Sequence, residues 1–373
     1  MKRRLLLLPL LACLLIAMVV GSQPGAAKPL PRPPKGFFGI VPQTPVGPED
    51  LEYMEAGGIE SIRLTLPWAG VQPRKNGPYD WTGFDNAMEM ASRAGLRVLP
   101  SIGSPPKWIA RKETTLPVNS SRVRGAWMAF LRAAVERYGP GGDFWAQTGG
   151  VGPNYEPAIV DPRPIREWQI WNESNFFYFA YPVSPSAYAK LVTLSSKAIK
   201  SVDPRAKVVL AGLFAEPTAR GKKGMPATTY LERLYAIPGF KNRFDGFDLH
   251  PYAIDSADLE RMIEEFVAVA RENRDRPALY LTELGWGSEN NFDEVAFEQG
   301  VRGQVKQLKA SYKYLIENAR RLNLKAAYWF SWKDLPESCT FCDSVGFFKA
   351  GPKFRAKPAW HAFVRITGGR ARP

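Results

Sequence analysis

Eight short apolar runs recur along the chain, and longer segments separate them. The runs are Phe37 to Pro42, Ser61 to Leu66, Arg97 to Ile102, Arg166 to Trp171, Lys207 to Leu213, Phe244 to Leu249, Ala278 to Leu281 and Lys325 to Phe330. Each is the length of a buried strand, and several intervening segments carry helix signals. Pro48 to Ala56 stops at Gly57-Gly58, and Phe84 to Ala94 stops at Gly95. Ser120 to Tyr138 opens on a capping serine. Ser184 to Val202 carries Pro185 at its first position. Asp255 to Asn273 and Phe292 to Leu322 are the longest candidates. Strand and helix in alternation predict a parallel sheet covered by helices, and eight repeats predict its closure into a single (β/α)8 TIM barrel. Gly139 to Arg163 breaks the rhythm. It is rich in Gly and Pro and reads as a long loop.

The N-terminus carries a different pattern. Lys2, Arg3 and Arg4 precede an apolar run from Leu5 to Val20, and Gly25-Ala26-Ala27 offers a small-residue cleavage site. That is the layout of a secretory signal peptide, and sixteen apolar residues fall short of the ~20 that a spanning helix needs. Residues 1–27 are therefore expected to be a signal segment, 28–36 a proline-rich extended lead-in, and 37–373 the barrel domain. The expected localisation is secreted, extracellular or cell-envelope, with no stable membrane insertion. Losing residues 1–27 takes three cations from the formal charge of +14 and leaves +11. A basic exported protein attracts acidic polymers, so an acidic polysaccharide is a candidate partner. No lysine-rich run interleaved with aromatics argues for nucleic acid, and a monomer is expected. Cys13 leaves with the signal, and Cys339 and Cys342 remain. In an oxidising compartment that CxxC reads best as a local disulfide, with a redox motif or half a zinc site as the alternatives.

With only His250 and His361 in the chain, a three-histidine zinc site is excluded and little remains for a Ser-His-Asp triad. Acid–base work falls to carboxylates. Active sites of such barrels form at the carboxyl ends of the strands. There the chain places Arg63, Trp171-Asn172-Glu173, His250-Pro251-Tyr252, Thr282-Glu283 and Ser331-Trp332. Two carboxyl groups facing across a cleft suit glycosidic cleavage, one protonated to assist departure and one ionised to attack.

The order of the motifs resembles the retaining glycoside hydrolases of the (β/α)8-barrel clan that includes families 5 and 39. The segments are IRLTLPW around Arg63, DW at Asp80-Trp81, EWQIWNE, LHPY, LTELGW and KPAW at Lys357 to Trp360. The resemblance implies Glu173 as general acid/base, Glu283 as nucleophile and Asn172 on the sugar's 2-hydroxyl. It implies Arg63 holding the nucleophile ionised, His250 and Tyr252 around the nucleophile and first sugar, and Trp332 as the floor of that subsite. Ser174 stands where many relatives have proline. Trp68, Trp108 and Trp286 follow strands and are candidates to line the cleft, with Trp108 and Trp286 taken as substrate-binding and core packing as the alternative. About half of the aromatics in the loop after Glu173 (Phe176, Phe177, Tyr178, Phe179 and Tyr181) are expected to face substrate. Trp127 and Trp360 are expected in the core, Asp248 as a brace, Asp334 and Glu337 as rim or loop-anchoring residues, and Glu216 as the decoy carboxylate. A carbohydrate substrate and no metal or organic cofactor follow. A transglycosylase and a silent polysaccharide-binding protein are the rival readings.

Overall fold

The computed structural model describes residues 30–146, 162–291, 295–336, 339 and 342–373. The expected signal segment, most of the long loop after Gly139, and Glu337 lie outside these residues. The order is β1 (Phe38–Val41), α1 (Pro48–Ala56), β2 (Ser61–Pro67), α2 (Trp68–Val71), α3 (Thr82–Arg93), β3 (Arg97–Gly103), α4 (Ser121–Tyr138) and α5 (Asp143–Ala146). It continues with β4 (Glu167–Ile170), α6 (Pro185–Val202), β5 (Lys207–Phe214), α7 (Ala227–Tyr235), β6 (Gly246–His250) and α8 (Ser256–Glu272). It ends with β7 (Ala278–Leu284), α9 (Gly300–Leu322), β8 (Leu324–Phe330) and α10 (Pro358–Thr367). The eight strands pair in parallel in sequence order and close, with Val41 of β1 beside Phe330 of β8.

The cap read at Ser120 is present, and two further helix starts are capped in the same way. Ser120, Ser184 and Asp255 accept the amides of Val123, Ala187 and Asp258 at 3.2, 3.3 and 2.9 Å. Two helix expectations change. α7 occupies the segment between the fifth and sixth runs, for which no helix was read. α9 begins at Gly300 rather than Phe292. Before Gly300 the chain is held in a bridge between Gly287 and Glu298, and buried Glu298 accepts the Glu289 amide at 2.7 Å. Those backbone groups are committed to pairing and cannot also enter a helix.

Two apolar regions result. A large one lies between strands and helices and includes Trp68, Trp127, Trp286, Trp332 and Trp360, all fully buried. A smaller one includes Val41, Leu99, Val209, Tyr280, Tyr328, Phe330 and Tyr252. Glycine creates the room for its larger members. A side chain at Gly39 would collide with the Tyr328 ring, at Gly246 with Tyr280 and at Gly212 with His250. Three strand glycines thus seat three large side chains.

The segment from β8 to α10 closes the structure. The sulfurs of Cys339 and Cys342 are bonded, as read. Asp334 anchors this loop, one of the two roles expected of it: it is buried, pairs with Lys357 at 2.7 Å and accepts the Gly346 amide at 2.8 Å. Lys357 also donates to Ser344 O at 2.5 Å and Ser288 Oγ at 3.1 Å. Burial pulls the Lys357 ammonium down, and the Asp334 charge opposes it. Removing one partner of a buried ion pair leaves the other uncompensated. Lys357→Ala should therefore lower unfolding free energy by about 3–5 kcal/mol in urea denaturation. Lys357→Met with Asp334→Leu should recover most of that loss. Equal stability of Lys357→Ala and wild type would remove the pair from any structural role.

Candidate active site

Arg63 is the hub at the carboxyl end of the barrel. Its guanidinium rises from β2 and is buried. It donates from Nη1 to Glu283 Oε1 at 2.7 Å, from Nε to Gln169 Oε1 at 2.7 Å, and from Nη2 to Asn172 Oδ1 at 2.6 Å. One planar fork thereby ties β2, β4 and β7. Asn172 Oδ1 must face the guanidinium, so its amide nitrogen points elsewhere. No described residue accepts from that nitrogen, which leaves it as a donor for a ligand hydroxyl.

Glu283, at the end of β7, also accepts from Tyr252 Oη at 2.7 Å. Burial raises its carboxyl above the ordinary range. The Arg63 charge and the hydrogen bonds from Tyr252 and Arg63 oppose that rise. Glu173 lacks those donors. Burial first, then the Glu283 charge, push it well above the ordinary range, with Arg63 opposing. The environment therefore splits two chemically identical side chains.

Glu173 follows β4 on an unusual backbone. Trp171 has φ of 75° and Glu173 of 36°, both in the left-handed region that non-glycine residues rarely enter. Neighbouring strands hold the turn. Ile102 O accepts the Trp171 amide at 2.9 Å and Gly212 O accepts the Glu173 amide at 3.0 Å. Strained backbone kept in place by its surroundings is a mark of functional sites. Ser174, the departure from relatives, is fully buried.

A buried chain of hydrogen bonds sets the proton positions. Asp248 accepts from Thr282 N at 2.9 Å, from Thr282 Oγ1 at 2.5 Å and from Gln169 Nε2. With its one hydroxyl hydrogen given to Asp248, Thr282 Oγ1 can only accept from His250 Nε2, at 3.0 Å. His250 Nδ1 then carries a lone pair. It faces Glu173 Oε1 at 2.8 Å, so the proton in that bond belongs to Glu173. Glu283 Oε2 is farther, at 3.5 Å from the same nitrogen. Burial and the Arg63 charge hold His250 well below its ordinary value, hence neutral. Burial pushes Asp248 up to about 7, against the Thr282 bonds and Arg63.

One atom each of Glu173, His250 and Glu283 lies within 4.8 Å of the others, a spacing that a metal ion could use. The occupancy of the groups argues otherwise. Both Glu283 oxygens already accept hydrogen bonds, and the Arg63 cation opposes a second cation.

The structure thus brings together Arg63, Asn172, Glu173, His250, Tyr252 and Glu283. His250 contacts Glu173 more closely than Glu283. Trp332, Trp286 and Trp68 fall elsewhere, all fully buried. Trp332 is fully buried on the helix side, donates to Asp50 Oδ1 at 2.8 Å and packs edge-on to Trp360 at 5.4 Å. β8 ends at Phe330, so strand alternation does not carry on to Trp332. Phe330 holds the inner position, 6.0 Å from the Tyr252 ring. Trp286 is fully buried and donates to Ala253 O at 2.8 Å. Trp108 is half-buried, donates to Gln72 O at 3.0 Å and packs against buried Trp68. Trp127 and Trp360 are core, as read. Glu216 is exposed and paired with Arg261 at 3.0 Å, away from these groups. Gln169 and Phe330 have no part in the expected site, and Thr282 stands there only as the neighbour of Glu283. A glutamine inside the apolar run of β4 was the available signal for the first.

A beta-galactosidase model of the glycoside hydrolases matches residues 43–130, which contain neither glutamate. A family 39 glycoside hydrolase from the gut symbiont Bacteroides cellulosilyticus WH2 superposes with a TM-score of 0.62 at 16% identity, covering 90% of this chain and 64% of that one. The fold is that of the glycoside hydrolase barrels. A GH39 beta-xylosidase from Caulobacter crescentus gives 0.58 at 19% identity, over 91% of this chain and 72% of that chain. Xylanase 10B from Thermotoga maritima gives 0.57 at 14%, over 89% and 94%. The chain spans less than two thirds of the first of these and most of the third. No curated protein matches it in sequence.

Two histidines make the proton chain measurable. The imidazole 15N spectrum should show one of them neutral, protonated at Nε2, and not titrating as pH falls through 6.5. Thr282→Val should abolish that tautomer preference. An Nδ1-protonated ring, or titration of both rings near 6.5, would refute the chain.

Proposed function

We propose that the protein is a retaining glycoside hydrolase acting on β-linked sugars of a polysaccharide or oligosaccharide. The observation that carries this reading is the unequal pair: Glu283 held by Arg63 and Tyr252, Glu173 facing a lone pair of His250. Their carboxylate oxygens approach within 4.8 Å. That supports the shorter separation of about 5–5.5 Å used for double displacement over the ~6.5–9.5 Å of an inverting enzyme.

In the first step Glu283 attacks the anomeric carbon while Glu173 gives its proton to the departing oxygen. A glycosyl ester on Glu283 results. Arg63 and Tyr252 stabilise the carboxylate before attack and again as it leaves. In the second step ionised Glu173 takes a proton from water, which displaces Glu283 from the sugar. The amide of Asn172 is placed to donate to a sugar hydroxyl near both groups. A transglycosylase would share every step until the acceptor arrives. Export is part of the same reading, supported by the pattern of residues 1–27 and the bonded cysteines. No described helix is long and apolar enough to cross a membrane.

The stereochemistry of rescue tests the roles. With Glu283→Ala, azide entering from the vacated face should give a glycosyl azide of inverted configuration. With Glu173→Ala, an activated aryl glycoside should still form the intermediate, and azide should intercept it with retention. Loss on an unactivated substrate should be 10²–10⁴-fold, the scale of general acid help. The reverse pattern of products would exchange the roles, and full activity in both variants would end the assignment.

The pH profile is a separate check. Activity needs Glu283 ionised and Glu173 protonated. Both are raised, Glu173 further, so both limbs should lie above the usual carboxylate range. Activity should fall on the acid side as Glu283 takes up a proton and on the alkaline side as Glu173 loses one. Glu173→Gln should remove the alkaline limb for an activated substrate. An unchanged bell in that variant would mean another group supplies the limb.

A further inference from the structure

The loop after Glu173 presents aromatic rings to solvent. Tyr178 is 65% exposed, Tyr181 43% and Phe179 39%. These rings are joined to the site. Tyr178 lies 5.0 Å from Phe176, Phe176 stacks on Phe214 at 5.3 Å, and Phe214 is 5.8 Å from Tyr252, which bonds Glu283. A chain of ring contacts therefore runs from buried Tyr252, through Phe214 and Phe176, to exposed Tyr178.

The surface is built from three loops fastened together. Thr114 O of the loop after β3 accepts the Tyr181 amide at 2.9 Å. In the loop after β5, Lys223 O accepts the Phe177 amide and Lys222 O the Val183 amide, each at 2.9 Å. Buried Asn175 donates to Phe214 O and Met225 O, both at 2.8 Å. These bonds hold the rings at fixed places rather than on a loose loop.

Charge is uneven here. Lys107, Arg111, Lys112, Lys222 and Lys223 in these loops are all exposed. None has a carboxylate within ion-pair distance among the described residues. Their exposed carboxylates are Glu113 and Glu216, and Arg261 already holds Glu216 at 3.0 Å. Lys222 and Lys223 stand on the residues whose carbonyls pin the aromatic loop, and Lys223 Nζ lies 5.9 Å from the Phe177 ring.

We propose that this shelf is a sugar-binding site on the leaving-group side of the scissile bond, taking an anionic sugar unit of a polysaccharide against Tyr178 with Lys222 and Lys223 meeting its charge. The side follows from chemistry. Glu173 protonates the departing oxygen, so the departing sugar lies along the loop that Glu173 begins. Rings bind the apolar face of the sugar, and ammonium groups supply point charges for a carboxylate or sulfate. The assignment of sides rests on the proposed function; binding of an anionic glycan to the shelf does not.

Calorimetry of the full chain with four polymers tests it: polygalacturonate, the same polymer after carboxyl reduction, dextran sulfate and dextran. Polygalacturonate should bind, its reduced form and dextran should not, and affinity should fall with salt. Lys222→Ala with Lys223→Ala should weaken binding on the order of tenfold, and Tyr178→Ala by about tenfold. All three side chains are exposed, so folding is not at stake. Lys306→Ala with Lys309→Ala on α9 makes the same change in net charge elsewhere and should leave binding unaltered. Binding of dextran sulfate at the same residues identifies the recognised group as any sugar-borne anion, and its absence narrows it to uronate. Equal binding of the reduced polymer, equal weakening by the α9 control, or no binding of either anionic polymer would overturn the shelf. The azide experiment separates the two readings. Correct rescue products with an inert shelf would sink only the shelf. Shelf binding with no glycosidase chemistry would sink only the catalytic assignment.

Discussion

One buried cation organises the site. Glu173, Glu283 and Asp248 are three carboxyl groups removed from water, and Arg63 is the cation placed among them. His250 is neutral and adds no charge. Isolated buried charges are too expensive to keep, so three ionised carboxylates cannot share one guanidinium. A proton must reside among them. Glu283 receives the direct ion pair and a tyrosine hydroxyl. Asp248 receives three donors from Thr282 and Gln169. Glu173 alone faces an acceptor, the lone pair of His250. The proton settles there by elimination, so the acid that the proposed mechanism requires is present before any substrate arrives. Removing Arg63 would leave more than one carboxyl needing a proton, with loss of the distinction between the two glutamates.

The barrel makes this compensation geometrically possible. Arg63, Gln169, Asp248 and Thr282 come from β2, β4, β6 and β7, far apart in sequence, and point to one interior. Their network connects to the mouth through His250. That ring fits only because Gly212 on the neighbouring strand has no side chain. A methyl there would force His250 to shift and would break its contact with Glu173. The polar network and the glycine are two parts of one constraint, although they lie on different strands and have no common sequence signature.

Much of this was legible in the sequence because strand periodicity and motif order are local signals. The eight runs, the Asn172-Glu173 pair, Glu283, Arg63 and Tyr252 stand where the pattern puts them. The failures share a cause. Trp332 and Trp286 lie just beyond strand ends, where alternation no longer dictates direction, and each indole N–H found a buried acceptor on the helix side. Phe330 is the last residue of β8, and its inward direction follows from alternation only once that strand end is fixed. Gln169 and Thr282 act through partners on other strands, which spacing alone does not reveal. The start of α9 was misplaced because residues 295–299 pair with the segment after β7, a tertiary demand that overrides local helix preference.

The loop from β8 to α10 shows why the cysteines matter despite their short spacing. So small a ring restricts the unfolded chain little, and its entropic contribution is correspondingly small. Its effect must be sought in the folded state. Cys342 is buried with Val345 in the same inner cluster as Phe330 and Tyr252. The Cys342 carbonyl accepts the Leu335 amide at 2.8 Å, next to Asp334 and its pair with Lys357. The bond therefore pins one end of a segment whose other end is fixed by a buried ion pair, and Cys342 itself belongs to the apolar cluster that holds Phe330 and Tyr252. Tyr252 in turn gives Glu283 the hydroxyl that keeps it apart from Glu173. A covalent link outside the glutamate pair thus fixes one member of the apolar cluster in which Tyr252 packs.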